Sequence, residues 1–569
     1  MMIHIAALLM AGVMMACGQT TQEPSIVASL RGLVIVPDPQ MINRLGVSNV
    51  TGLQIRGPAF LDNNEFRSLI TPYLNKELSE TSLRELQVKV IKYCASKGYR
   101  VVDVYYPDDQ RIVNGTVQMA VVLGKVGKVT VKNEGKKWYS DQFILRRLGL
   151  REGENLSYPQ LVERLERLSQ QPDFRDVTLK LSAASDFLEV TNKLTQGNLG
   201  YADVQVEVRD RFPLRPYLGY DNYGTKALGK DRLNAGITWA YPFLLDHSLD
   251  YRYTTDVELD LFESHVLTYL VSLPWGHRLS LLGCYASFEP DWAALGSPAI
   301  YSKGSYYQLS ARYNASMPKL GNYRHELSVG FDFRRLDSSL LFSSAPLPST
   351  PIGVGQFAFG YRGVLPDSLG QTTLGVEAWY SPGGLVHRNT DGDYDAARGG
   401  SSADYVYGQL EAERVFKLPA GFSLAAHGVY QYTPQRLTYS EMFGVGGYAT
   451  VRGYDERYAI GDTGYFIRTE LRSPVFRRSS PLGKNRVDGL QVYAFFDHGE
   501  TSINKPQVTD QDPHVTMQSV GGGLRMNLHR NFELRFEAGY QLKIDDEIRR
   551  RVEISDQDYG FHLTARLLF

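Results

Sequence analysis

From residue 214 onward the sequence alternates apolar and polar residues in segments of about ten, separated by turn residues. Leu233, Ala235, Ile237, Trp239 and Tyr241 form one such series, and Leu267, Tyr269, Val271 and Leu273 another. Leu327, Val329, Phe331 and Phe333 repeat it, as do Leu374, Val376, Ala378 and Tyr380. Phe532, Leu534, Phe536, Ala538 and Tyr540 continue the pattern, followed by Phe561, Leu563, Ala565, Leu567 and Phe569. A period of two places one set of side chains on each face of a strand. Sixteen such segments are counted between 214 and 569, and the connections between them alternate short and long. A soluble sandwich gives no reason for that alternation. A transmembrane barrel does, with short periplasmic turns and long outer loops. An even count also predicts that both ends of the barrel lie on the periplasmic side.

The residues between the apolar ones define the other face. In the fifteenth segment they are Glu533, Arg535, Glu537 and Gln541, and in the twelfth Arg468 and Glu470. A charge facing lipid at the bilayer midplane costs about 2–4 kcal/mol, so these groups are expected to line a wet lumen. Composition agrees with this only once the two faces are separated. A mean hydropathy of −0.27 and a net charge of −1 resemble those of a soluble protein, but barrel strands meet lipid with every second residue only. The near-neutral balance excludes a basic field for nucleic acid. Three well-separated cysteines exclude a disulfide scaffold, and no Cys/His cluster has zinc-ligand spacing.

Upstream of the barrel, two α+β units share one order of elements. In the first, a strand at Leu53 and Ile55 precedes helices over 63–76 and 80–97, the second capped by Ser79 and stopped at Gly98. Strands at Val101 to Tyr106 and Val117 to Leu123 follow. The second unit repeats this with Val129 and Val131, helices at Phe143 to Leu148 and from Ser157–Pro159, then strands at Val177 to Leu181 and Val204 to Val208. The sheets carrying Val117 and Val204 have exposed edges that suit an extended peptide. Residues 1–18 read as an export signal peptide, with Cys17 either at the cleavage site or a lipidated first residue. The expected organisation is then 19–46 as a linker that includes a short apolar strand at Leu33 to Val36, 47–125 and 126–210 as the two units, and 211–569 as the barrel.

The longest connection, at about 432–462, holds FGVGGYATVRGYDERYAIGD, and the next strand but one reads YAFFDHGE. Parity turns Leu490, Val492, Ala494 and Phe496 toward lipid and Asp497 into the lumen. Arg452 sits on a glycine-flanked loop long enough to fold back inside, where its guanidinium can pair with that carboxylate in a bidentate manner. Here the sequence resembles the two-partner-secretion transporters (TpsB, the haemolysin-activator ShlB/FhaC type) of the BamA superfamily. Val451-Arg452-Gly453-Tyr454 is similar to that family's VRGY loop motif, and Phe495-x-Asp497-x-Gly499 to its FxDxG strand motif. Asp221-Asn222-Tyr223-Gly224 resembles its DNxG segment. Gly98-Tyr99, Pro107 to Gln110 and Asn114-Gly115 resemble its first POTRA domain, with one residue more than the usual P-x-Q.

The resemblance implies α+β POTRA domains in the periplasm followed by a 16-stranded antiparallel transmembrane β-barrel in the outer membrane. It implies a loop arginine paired with a strand aspartate inside the barrel. Its partners are an unfolded exoprotein arriving in the periplasm and outer-membrane lipid, and the pore is a monomer. No catalytic constellation, cofactor or metal is expected. The alternative is a BamA-type factor that inserts other outer-membrane proteins, and the Arg452–Asp497 pair itself either takes part in transport or merely fixes the loop. Gly444-x-Gly446-x-x-Ala449 matches a dinucleotide fingerprint but lacks the strand-to-helix turn. Asp391-x-Asp393-x-Asp395 suggests a calcium loop, yet Ala396 and Ser402 replace the required Gly and Glu, so a solvated acidic outer loop is expected.

Overall fold

The computed structural model describes residues 25–99, 102–107, 109–169, 171, 173–183, 201–291, 300–342, 345–347, 351–479, 487–508, 510, 513–528, 531–543 and 559–569. The leader and Cys17 lie outside them. The chain divides into two compact units, one ending at Arg211 and the other starting at Phe212.

Among the described residues the N-terminal unit contains two larger sheets and a two-stranded pairing of Ser25–Val27 with Leu78–Ser79. The first has the strand order Gly52–Ile55, Gly32–Val36, Thr116–Leu123, Val102–Tyr105, with helices Asn64–Ile70 and Glu80–Ser96. Ser79 caps the longer helix through a reciprocal pair with Ser82. Phe66, Ile70, Leu86, Val90 and Cys94 from the helices pack on Leu33, Ile35, Val117 and Met119 of the sheet. The linker expected over 19–46 is therefore only in part a linker. Gly32–Val36 is buried on both faces and pairs in parallel with strands on either side. A central parallel strand reads as an unbroken apolar run rather than an alternation, so its sequence did not reveal which unit it joins. Burial of the Cys94 thiol in this core raises its pKa to about 11.

Asn114 and Gly115, both at positive φ, form the two-residue turn between Val113 and Thr116. The Gln110 amide bonds the backbone of Gln118 in both directions at 2.8 Å, imitating a further strand. The second sheet has the order Lys125–Asn133, Tyr201–Asp210, Phe174–Ala183, with helices Asp141–Leu148 and Tyr158–Ser169. The strands carrying Val117 and Val204 are thus interior. Among the described residues the edges belong to Gly52–Ile55 and Val102–Tyr105 in the first sheet, and to Lys125–Asn133 and Phe174–Ala183 in the second.

The C-terminal unit is a closed antiparallel barrel of sixteen long strands among the described residues. The first, Leu214–Asp221, pairs with the last, Tyr559–Leu568, from Tyr217↔Leu568 to Asp221↔Thr564. Its outward face carries the apolar series. In the thirteenth strand, Val487–Ser502, Leu490, Val492 and Phe496 are 38%, 44% and 43% exposed, while Tyr493, Phe495 and Asp497 between them are buried. So large an exposed apolar belt is foreign to a soluble surface and suits lipid.

Candidate functional site in the barrel lumen

Connection 433–462, between the eleventh strand (Ser423–Tyr432) and the twelfth (Thr463–Arg472), is the longest. It folds back into the barrel as a hairpin of Phe443–Val445 with Ala459–Gly461. Its tip carries Val451 to Tyr454. Arg452 is 0% exposed, and three carboxylates from three strands surround it. Nε and Nη2 donate to the two oxygens of Asp497, each at 2.7 Å. Nη1 donates to Glu470 at 2.7 Å and to Glu537 at 2.6 Å. The guanidinium also lies 3.6 Å above the centre of the Phe495 ring, a cation–π contact strengthened by the loss of water.

Each motif residue has a distinct part in this seat. Phe495 is the platform and Asp497 the fork's partner. A Cβ at Gly499 would stand 2.6 Å from Val445 Cγ1 and 2.9 Å from Val451 Cγ2, so the glycine makes room for the loop's apolar side. Gly453 has φ +93, and a Cβ there would stand 2.8 Å from the carbonyl oxygen of Gly539. Gly560 is equally close on the other side, 2.6 Å from the Gly453 oxygen for an added Cβ. The loop backbone therefore rests directly on the wall at two side-chain-free positions. The Gly453 N–H donates to His562 Nε2 at 3.2 Å, and the Tyr454 hydroxyl to the Gln518 carbonyl at 2.8 Å.

Of the lumen charges read from the sequence, Arg468, Glu470, Arg535 and Glu537 gather around Arg452, whereas Glu533 is exposed and the seat's ion pairs are made without it. Parity arguments missed Arg472, Arg525 and Tyr493, which hold Glu470 and Glu537 in place. Arg525 follows Gly521 and Gly523 on the lumen face, so the same rule would have found it. Gly539 and Gly560 leave no such trace, because their closeness to the loop is tertiary. The Asp221–Gly224 segment closes the barrel seam. The Asn222 amide takes the Leu563 N–H and donates to the Phe561 carbonyl, and Tyr223 stacks at 4.0 Å on Tyr448 of the loop.

At the outer end a second set of contacts joins connections 383–403, 433–462 and 503–513. The Asp391–Asp395 run is a capped helix, Asp391–Ala397, rather than the loop expected, while Asp391 and Asp395 are exposed as a solvated acidic segment would be. Its carboxylates accept from Ser402, Ala403, Arg388 and Gly400, and Tyr394 is fully buried. The helix starts on Thr390, whose hydroxyl accepts from the Asp393 N–H. Arg436 donates to both oxygens of Asp510 at 2.8 and 3.0 Å, joining connection 433–462 to 503–513. This pairing holds the Asp510 carboxyl down at about 2, below the ~3.9 of an unfolded chain. The stabilisation is therefore complete above about pH 4 and disappears as the pH falls toward 2. Protease protection of the outer loops is expected to stay flat from neutral pH to about 5 and to drop between about 4 and 2. Asp510→Asn should lack that drop, which limited proteolysis over a pH series would detect.

The model for haemolysin secretion/activation proteins ShlB/FhaC/HecB matches residues 200–526, more than half of the chain. The chain belongs to this family. A ShlB-type POTRA domain model matches residues 48–124. The outer membrane transporter CdiB-2 of Burkholderia pseudomallei is 24% identical over 422 residues, which are 71% of this chain and 65% of the relative, just under two thirds of its length. The heme/hemopexin transporter protein HuxB of Haemophilus influenzae is 22% identical over 483 residues, 81% of this chain and 77% of the relative. Among solved structures, CdiB from Escherichia coli superposes with a TM-score of 0.70 over 98% of this chain and 93% of that one, at 17% identity. CdiB from Acinetobacter baumannii gives 0.59 over 96% and 91%, also at 17% identity. Such likeness speaks to the fold. As in the rest of the ShlB/FhaC/HecB family, the setting is the outer membrane with POTRA domains in the periplasm, and the role is a transporter's rather than an enzyme's.

Proposed function

We propose that this transporter receives an unfolded exoprotein on its two periplasmic α+β units and passes it outward through the barrel, with the Arg452 loop as a latch in the path. The observation that carries the reading is how the loop is seated. Connection 433–462 occupies the lumen and is held there by ion pairs, hydrogen bonds, ring contacts and two glycine contacts. Every one of these is reversible, and a passive pore has no need of them. The edge of Lys125–Asn133 beyond Val126, whose own N–H and carbonyl are taken by Glu154 and Gly153, and that of Phe174–Ala183 can add an extended chain through backbone bonds, a sequence-tolerant mode suited to unfolded cargo. Lys125, Lys128 and Lys132 on one of them also discourage edge-to-edge self-association.

The test expresses the secreted proteins encoded in the neighbouring reading frames, each with and without the transporter, and measures export of each exoprotein into the medium. Appearance of an exoprotein only when the transporter is present is the expected result. Equal export of all of them without it removes the secretion role. Loss of other barrel proteins from the outer membrane on deletion of the transporter would mark it as an assembly factor instead.

A further inference from the structure

The charges around Arg452 do not balance. Arg452, Arg468, Arg472, Arg525 and Arg535 form a connected group with Glu470, Asp497 and Glu537, five guanidinium groups to three carboxylates. Asp497 is consumed by Arg452. Glu470 is consumed by Arg452, Arg472 and Arg525. One oxygen of Glu537 takes Arg452, Arg535 and the Tyr493 hydroxyl together.

Arg468 is left over. Its nearest carboxylate oxygen, on Glu470, is 3.6 Å away, its Nη1 bonds the Ala449 carbonyl at 3.0 Å, and its buried Nε has no hydrogen-bond partner among the described residues. Beside it a recess of about 320 Å³ opens in the lumen wall, lined by Arg468, Arg472, Arg525, Arg535 and Glu470. Among the described residues Glu413, two strands away, contributes the one further carboxylate and His427 a ring. Four guanidinium groups meet two carboxylates there, and one of the two is already saturated. A water needs about 30 Å³ of liquid volume, so the recess holds an oxyanion with its hydration to spare. Strand direction places Arg472, Arg525 and Arg535 toward the periplasmic ends of the twelfth, fourteenth (His514–Leu528) and fifteenth (Phe532–Lys543) strands. A chain entering from the periplasm would pass this recess before it reached the loop.

We propose that the recess beside Arg468 is an anion seat that takes carboxylate or phosphate oxyanions. Guanidinium forks suit both through paired N–H donors. The chemistry has two sources, acidic side chains of a chain in transit or a free anion. Only the first rests on the secretion reading; binding itself does not.

The test titrates the full chain in detergent, at constant ionic strength, with a blocked octaglutamate peptide, a blocked octalysine peptide and inorganic phosphate, followed by calorimetry. Octaglutamate is expected to bind saturably and octalysine not to bind. Arg468→Gln and Arg525→Gln are each expected to weaken binding by about tenfold, near 1.4 kcal/mol, with folding checked by the heat-dependent gel shift of the barrel. Phosphate binding with no peptide binding also supports the seat and assigns it to free anions. Failure of both to bind overturns the proposal, as does octalysine binding equal to octaglutamate, a comparison that needs no variant. Unchanged affinity in a folded Arg468→Gln overturns it as well. Secretion is not read in this experiment, so a failed seat leaves the transport role to its own assay.

Discussion

Replacing Arg452 with alanine is expected to release the loop tip from the lumen, raise single-channel conductance in planar bilayers and cut exoprotein secretion by about tenfold or more. The reasoning starts from what each carboxylate keeps. Glu470 retains Arg472 and Arg525, and Glu537 retains Arg535 and Tyr493. Asp497, fully buried, is left with one backbone N–H at 3.1 Å. An uncompensated buried charge costs about 3–5 kcal/mol, and the chain can avoid that cost by letting water in where the loop now sits. Arg452→Lys keeps the charge but not the fork, so an intermediate conductance is expected. Asp497→Asn leaves Arg452 with Glu470 and Glu537 and should release the loop less than Arg452→Ala. Wild-type conductance and secretion in Arg452→Ala would reduce the motif to scaffolding.

The lumen chemistry was legible in the sequence wherever strand parity alone decided it. Arg468, Glu470, Arg535 and Glu537 alternate with lipid-facing residues, and a charge has only one affordable side. The pairing of Arg452 with Asp497 needed the loop length and the resemblance together, since nothing in a period-two pattern says where a loop returns. The roles of Gly499, Gly539 and Gly560 were invisible for a related reason. Each is the absence of a side chain, and only the backbone approaching it gives that absence meaning. Gly32–Val36 was misplaced because a strand buried on both faces has no alternation to read, and its partner Thr116–Leu123 is distant in sequence. Helix Asp391–Ala397 is a short element anchored only by Tyr394 and the partly buried Ala397, so a periodicity argument had almost nothing to count.

The outer end of the same loop offers the second large effect. Asp462 is fully buried and accepts from Arg398 Nη1 and Nη2 at 2.5 and 3.0 Å, from the Leu437 N–H at 2.8 Å and from the Asn504 N–H at 2.9 Å. Three outer connections, 383–403, 433–462 and 503–513, meet on this one carboxylate. Asp462→Ala leaves the buried Arg398 charge with the Leu437 carbonyl and a Nε that has no hydrogen-bond partner among the described residues, and is expected to cost about 3–5 kcal/mol. The outer mouth should then loosen, seen as faster trypsin cleavage in these loops and more frequent conductance spikes, while the Arg452 seat still blocks steady flow. Arg452 and Asp462 hold the tip and the end of one loop, so neither release alone frees it. Asp462→Ala combined with Arg452→Ala is accordingly expected to raise steady conductance by more than the two single changes together. Simple additivity would mean that the tip and the outer end move independently, and the loop would then be two gates rather than one latch.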